Sequence, residues 1–205
     1  MTQRFILATA NADKVREITA VLAGAGIAIE LLPRPTTVAD VDETGDTLEE
    51  NARLKAEALC AATGLPAIAD DTGLEVDALG GAPGVCSAQF AGEDATYSDN
   101  VDLLLERLRD VPDPRRGARF ATVALARWPD GREVAAFGEV VGTIAPRPRG
   151  QEGFGYDPVF VPEEGDGRTF AEMAPAEKHE LSHRGRAFRT LADGLKAAER
   201  MQRME

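Results

Sequence analysis

Two adjacent carboxylates, Asp70 and Asp71, follow a short apolar run and are followed at once by the hydroxyl of Thr72 and by Gly73. Carboxylates brought together attract a hard divalent cation such as Mg2+, which takes oxygen ligands and keeps several waters. The run before them, Leu65 to Ala69 with Ile68 among small alanines, predicts a strand covered on both faces, of the kind found in parallel or mixed sheets. Ligands of open α/β sheets bind beyond the carboxyl ends of strands, where Asp70 and Asp71 are expected to emerge. Neighbouring strand residues point to opposite sides, so the two acids should do different work. Taken alone, the stretch reads equally well as an Asx-type turn that closes a strand.

Other residues along the chain have complementary chemistry. Thr9-Ala10-Asn11-Ala12-Asp13-Lys14 lies between the apolar run Phe5 to Ala8 and a helical pattern through Val15, Ile18, Val21 and Leu22. Asn11 is a natural N-cap there, and a helix start with an ammonium beside it suits a phosphate group. The turn lacks the glycines of a P-loop, and a plain helix cap would need no ligand. Glu43 precedes a second helix that carries Asn51 and Lys55 four residues apart, hence on one face. These two charged groups are candidates to face Asp71, with a solvated surface as the alternative. Phe154-Gly155-Tyr156-Asp157 sets aromatics beside glycine at the end of a loop, where a planar ligand can approach the backbone or where the rings can simply anchor the loop. Lys178, His183, Arg184, Arg186 and Arg189 form a basic segment at the start of the last helix. Cations there oppose the helix dipole and call for an anion nearby.

Together these residues describe a cleft with Lys14 and a helix start for phosphate, with Glu43, Asp70 and Asp71 for Mg2+, and with an aromatic platform. An ordinary Asp, with a pKa of about 3.9, is a feeble base toward bulk water. A metal ion lowers the pKa of its bound water, leaving a carboxylate to orient that water and accept its proton.

The net charge of -12 over 205 residues argues against nucleic acid or an anionic membrane surface as a partner. With 43% hydrophobic residues the chain can bury a substantial core. Cys60 falls in a helical pattern and Cys86 in a glycine-rich loop, so no disulfide framework is expected and a reducing compartment fits. The two histidines, His179 and His183, make no zinc-type cluster with them. Met1-Thr2-Gln3-Arg4 leads into a strand without a signal segment, and no apolar run of about 18 residues occurs. A soluble, cytoplasmic protein is expected.

The elements that must position these groups alternate. Ile27 to Leu32 predicts a second strand, and Thr47-Leu48-Glu49-Glu50 is a capping box opening the helix that ends at Gly64-Leu65-Pro66. Leu74 to Val76 predicts a separate short strand after the acids, and Ser98 is a candidate cap for a third helix through Val101, Leu104, Leu105 and Leu108. Phe120 to Trp128 and Glu133 to Val141 predict a hairpin turning at Pro129-Asp130-Gly131-Arg132. Short strands to Ala145 and over Val159 to Val161 follow, and Ser182 is a candidate cap of the last helix through Phe188, Leu191 and Leu195.

Six ordered blocks carry a resemblance: Thr9-Ala10-Asn11 with Lys14 and Glu17; Glu43-Thr44-Gly45 with Asn51 and Lys55; Ala69 to Leu74; Leu79 to Gly84; Phe154 to Pro158; and Ala176-Glu177-Lys178 with Ser182-His183-Arg184. In these blocks, which span nearly the whole chain, the sequence resembles the house-cleaning nucleoside triphosphate pyrophosphatases, the inosine triphosphatases or XTP/dITP diphosphatases. Ala10 and Thr72 stand where that family commonly has glycine and serine.

The resemblance implies an elongated, two-lobed α/β fold with a central mixed sheet flanked by helices, a cleft between the lobes, one domain over residues 1–205 and a homodimer. It implies Mg2+-dependent hydrolysis of ITP, dITP and XTP to the monophosphate and pyrophosphate, which cleanses the nucleotide pool. By position, Asp71 would be base and metal ligand, Glu43 the second ligand and Asp70 a supporting acid. Thr9, Asn11, Lys14 and Lys55 would hold the phosphates, Ala10, Ala12 and Asp13 of the same turn would line the substrate, and Thr72 would touch it. Phe154, with Gly155 and Tyr156, would meet the base, while Asp157, Lys178, His183 and Arg184 read its edge or the adjoining phosphate and sugar. A cation near O6 and a carboxylate near N1–H favour hypoxanthine over adenine, each mismatched buried group costing about 1–3 kcal/mol. Two other readings stay open: a nucleotide-binding regulatory module without chemistry, and a hydrolase of pyrimidine or modified nucleotides.

Overall fold

The computed structural model of the protein describes residues 2–202; Met1, the first residue of the stretch expected to lead directly into a strand, and residues 203–205 lie outside the described residues. The strands are β1 (Gln3–Leu7), β2 (Ile29–Leu32), β3 (Ala67–Val76), β4 (Pro83–Gly84), β5 (Gly117–Arg127), β6 (Glu133–Ile144) and β7 (Phe160–Pro162). The helices are α1 (Ala12–Gly24), α2 (Leu48–Thr63), α3 (Tyr97–Arg107), α4 (Pro175–Leu181) and α5 (His183–Gln202). The strands form one mixed sheet in the order β2-β1-β3-β5-β6-β7, with β4 paired to β3. β1 is parallel to both β2 and β3, whereas β4 runs antiparallel to β3 and β7 to β6.

Local sequence explains most boundaries. Asn11 caps α1 by accepting from the N–H groups of Asp13 and Lys14, and Thr47 with Glu50 closes a capping box on α2. α2 stops at Gly64, whose φ of 66° is left-handed and suits glycine. α3 is capped by Thr96 through a box with Asp99, not by Ser98 as the sequence suggested, because the box satisfies two backbone donors where one Ser side chain would satisfy one.

Two expected breaks do not occur. β3 runs unbroken through Asp70, Asp71, Thr72 and Gly73 to Val76, so there is no turn at the acids and no separate strand over Leu74 to Val76. Antiparallel pairing of Leu74 with Gly84 and Glu75 with Pro83 carries the strand onward. The two acids therefore lie just past the stretch of β3 paired to β1, which ends at Leu7 opposite Ile68. β6 likewise continues through Gly142 and Thr143, where pairing with Pro162 and Val161 of β7 extends it. The hairpin turn is as expected, closed by Trp128 N–H to the Arg132 carbonyl at 2.9 Å.

The chain divides into two compact units. The first comprises the residues through Asp71, Thr122–Gly138 and the chain from Arg184; the second comprises Thr72–Ala121 and Glu139–His183. In the first unit the strand alternation sorts the core. Phe5, Leu7 and Ile68 pack with Ile18, Val21 and Leu22 of α1 and Phe188, Leu191 and Leu195 of α5. Ile6, Ala8, Ala67 and Ala69 pack instead with Ala52, Ala56, Leu59 and Cys60 of α2. In the second unit Leu74, Val76, Phe120, Val140, Phe160 and Phe170 surround Val101, Leu104 and the buried Leu108. Among the described residues no helix is long and apolar enough to cross a membrane.

Candidate functional site

The same alternation that sorts the core separates the two acids. Asp70 follows Ile68 by two residues and so points to the α1 and α5 side; Asp71 follows Ala69 by two and points to the α2 side. Their partners agree. Asp70 lies 3.1 Å from Lys14 Nζ of α1 and accepts from Arg184 Nε and Nη2 of α5, each at 3.4 Å. Arg184 Nη1 also donates to Glu17 Oε2 of α1 at 2.7 Å. On the other side Lys55 Nζ of α2 donates to Asp71 Oδ1 at 2.7 Å and to Glu43 Oε2 at 3.2 Å. Asn51 Nδ2, one turn earlier, reaches Asp71 Oδ2 at 3.4 Å.

Both acids are buried, at 2% and 5% exposure, yet their surroundings push them in opposite directions. Burial opposes ionisation of Asp70, but the nearby Lys14, Arg184 and Lys55 cations outweigh it and hold the carboxyl well below the usual range. For Asp71 burial prevails over the pull of Lys55, and with Glu43 adding repulsion its pKa is pushed up to about 6. Lys14 is lowered, chiefly by burial, against the pull of Asp70; Lys55 is raised because Asp71, Asp70 and Glu43 together outweigh its own burial.

The phosphate-type turn is arranged more tightly than its sequence implied. The N–H groups of Asp13 and Lys14 are taken by Asn11 Oδ1, at 2.9 and 3.3 Å, and Asn11 N–H donates to Thr9 Oγ1 at 3.2 Å. Thr9, Ala10 and Ala12 border a groove with Val15, Leu31 and Pro33. Ala10 and Ala12 are exposed, and Asp13 pairs with Arg16. Thus the first unit assembles Thr9 to Lys14, Glu43, Lys55, Asp70, Asp71 and Arg184, the last of them 2% exposed and held by protein carboxylates.

The second unit holds the remaining candidates. Asp157 Oδ2 accepts from Lys178 Nζ at 2.5 Å and from Phe154 N–H at 2.8 Å, tying the aromatic loop to α4. Lys178 Nζ sits 5.1 Å from the Phe154 ring centroid, a cation–π distance. Tyr156 is buried, its hydroxyl donating to the Ser87 carbonyl at 2.9 Å, so it anchors the loop. His183 is buried too and stacks on Phe120 with centroids 4.4 Å apart. Thr72 is half-buried, and Gly155 adopts a left-handed φ of 60°.

Glu17 and Asn51, which fall in the blocks that carry the resemblance, and Tyr97 have no individual role legible in the sequence. Glu17 and Asn51 carried a signal in their spacing, three residues after Lys14 and four before Lys55, each on the working face of its helix. Tyr97, whose ring lies 5.7 Å from that of Phe154, is far away in sequence and gave none.

The pairing of Glu17, Arg184, Asp70 and Lys14 predicts a steep cost for removing its centre. Arg184→Met should lower the unfolding free energy by about 3–5 kcal/mol in urea titration, because it leaves buried carboxylates uncompensated. Glu17→Gln, which leaves Arg184 with Asp70, should cost less. A loss under about 1 kcal/mol for Arg184→Met would show that the pairing is not what holds these groups.

Comparisons with known proteins bear on the chain as a whole. The Ham1 family model matches residues 5–194. A dITP/XTP pyrophosphatase of Streptomyces avermitilis is 51% identical over 92% of this chain and 94% of its own length. One of Escherichia coli O157:H7 is 48% identical over 95% of this chain and 98% of its own. Among solved structures, a HAM1 protein from Coxiella burnetii superposes with a TM-score of 0.86 at 38% identity, covering 96% of this chain and all of that one (100%). By sequence and by fold alike, the chain belongs to the Ham1 family.

Proposed function

We propose that the protein hydrolyses non-canonical purine nucleoside triphosphates, dITP, XTP and ITP, to the monophosphate and pyrophosphate. The observation that carries this is the placement of neighbouring acids on opposite faces of β3: Asp70 among the cations Lys14 and Arg184, and Asp71 beside Lys55, which it shares with Glu43. Burial favours the protonated form of Asp71, which makes its carboxylate better suited than an exposed aspartate to accept a proton from an attacking water. The purine specificity rests on the family, whose relatives cited above are named for dITP and XTP.

The donor chemistry fits Mg2+. Glu43 and Asp71 both hold the ammonium of Lys55, at 3.2 and 2.7 Å, so the two carboxylates already share a cation. Among the described residues no group of three or more His, Cys, Asp or Glu side chains is placed to hold a metal, and a carboxylate pair completed by substrate phosphates and water is how Mg2+ is usually held. When bound, the ion supplies a Lewis acid that activates water and offsets phosphate charge. Asp71 then orients the water and takes its proton, while Lys14 and Lys55, with Thr9 and Asn11 of the turn before α1, hold phosphate oxygens. Arg184 acts through Asp70, keeping it charged and in place for Lys14. Phe154 meets the base, and Asp157 with Lys178 and His183 sets the polarity presented to it.

The proposal extends to a homodimer in the cytoplasm that removes deaminated purines before a polymerase uses them, as the resemblance implies. A pure nucleotide-binding module has less need of Glu43 and Asp71 beside a polyanion.

Incubation with dITP, XTP, ITP, GTP, dATP and dUTP under one set of conditions with Mg2+ should give pyrophosphate from the first three in large preference. Orthophosphate as the sole product, or a preference for dUTP, would reject the assignment. Asp71→Asn should fold normally and lose about 10²–10⁴-fold in kcat; near-normal turnover would remove Asp71 from the role of base.

A further inference from the structure

Asn51 is 1% exposed at the start of α2 and touches two parts of the first unit that are remote in sequence. Its Oδ1 accepts from Gly45 N–H at 2.8 Å, and its Nδ2 donates to Asp71 Oδ2 at 3.4 Å. The orientation of the amide follows from chemistry. A backbone N–H can only donate, so the oxygen must face Gly45 and the NH2 group must face the carboxylate. Lys55, four residues on and one helical turn away, donates to the other oxygen, Asp71 Oδ1. Each carboxylate oxygen is therefore met by one donor from a single helix face, which fixes the plane of the group.

Gly45 supplies a second, independent sign that this contact is built in. A Cβ at that position would lie 2.6 Å from Glu50 Cβ and 2.7 Å from Asn51 Oδ1, closer than real Cβ atoms come. The loop carrying Glu43 and Thr44 thus approaches α2 so closely that only glycine fits, and it is pinned there by Asn51. Gly45 is two residues from Glu43, and Asp71 is at the other end of the same amide.

We propose that Asn51 is a positioning residue that fixes the spacing of Glu43 and Asp71: one amide holds the Glu43 loop through Gly45 and the Asp71 carboxylate through Oδ2. This rests on the function proposed above but concerns the registration of the two acids, not their identity. Losing the amide would leave the flexible Lys55 ammonium to tie Glu43 to Asp71, so the loop and the carboxylate would hold their spacing less closely, a cation requiring both would bind less well and Asp71 would be misaimed. Substrate contacts made by Lys14, Thr9 and Asn11 would be left in place.

The test uses the full chain and two variants. Asn51→Ala removes both contacts; Asn51→Asp keeps an acceptor for Gly45 but replaces the donor to Asp71 with a carboxylate oxygen. With dITP and Mg2+, Asn51→Ala should lose at least about 30-fold in kcat with KM within about threefold of wild type, the pattern of lost transition-state alignment. Asn51→Asp should lose kcat comparably. Mn2+ binding without nucleotide, followed by electron paramagnetic resonance, should be at least about tenfold weaker in Asn51→Ala. A merely structural role would lower the melting temperature and leave kcat and Mn2+ affinity within about threefold, and that result overturns the proposal. Should Asn51→Ala fail to fold, the near-isosteric Asn51→Asp decides by kcat alone, retained turnover overturning it. Should wild type turn over none of dITP, XTP or ITP, the proposed function fails. The Mn2+ comparison would then still decide the positioning role, an unchanged affinity counting against it.

Discussion

A carboxylate cannot be carried into the interior of a sheet unless its charge is met there, since an isolated buried ion costs far more than a fold can spare. Asp70 imposes that condition on the first unit. It is buried in β3, and the chain answers with Lys14 from the first turn of α1 and Arg184 from the first turn of α5. Arg184 would itself be an expensive group at a helix start, where the dipole repels a cation. Glu17 completes the balance at 2.7 Å. The packing of α1 and α5 on one face of the sheet is thus constrained by charge as well as by the apolar contacts of Ile18, Leu22, Phe188 and Leu191.

One residue later the conditions reverse. Asp71 faces α2, whose small Ala52 and Ala56 let the helix lie close to Ala67 and Ala69. That closeness brings Asn51 and Lys55 within reach but also dries the carboxylate, and Glu43 adds a like charge. The linkage signs differ accordingly. Asp71 binds its proton more tightly in the folded chain, so its contribution to stability falls as pH rises from its ordinary 3.8 toward about 6. Asp70 binds its proton less tightly, so its contribution is present above the ordinary 3.8 and is lost as acid protonates it. Adjacent side chains of one strand are thereby set to different protonation behaviour by nothing more than the pleat and the helices on either face.

Much of this was legible in the sequence. The caps at Asn11 and Thr47, the hairpin at Asp130-Gly131 and the amphipathic stripes depend on residues close in the chain, where side-chain chemistry acts directly on the backbone. The opposed facing of Asp70 and Asp71 followed from strand alternation alone. The unbroken course of β3 did not. Thr72 and Gly73 read locally as a turn, and they are extended because β4, ten residues further on, pairs with Leu74 and Glu75. The same limit applied to Arg184, whose two carboxylate partners lie more than a hundred residues upstream, and to Asn51, whose value depends on how near the Glu43 loop comes to α2. Tertiary approach decides such matters, and spacing within one element does not report it.

The central claim is that the two acids of β3 are held in opposite electrostatic states, and carbon-detected NMR of the aspartate side chains reads it directly. Titrated from pH 8 to pH 3 in the metal-free full chain, the Asp71 carboxyl should change protonation near pH 6 while the Asp70 carboxyl keeps its ionised shift throughout. Both carboxyls titrating together near pH 4 would contradict the account.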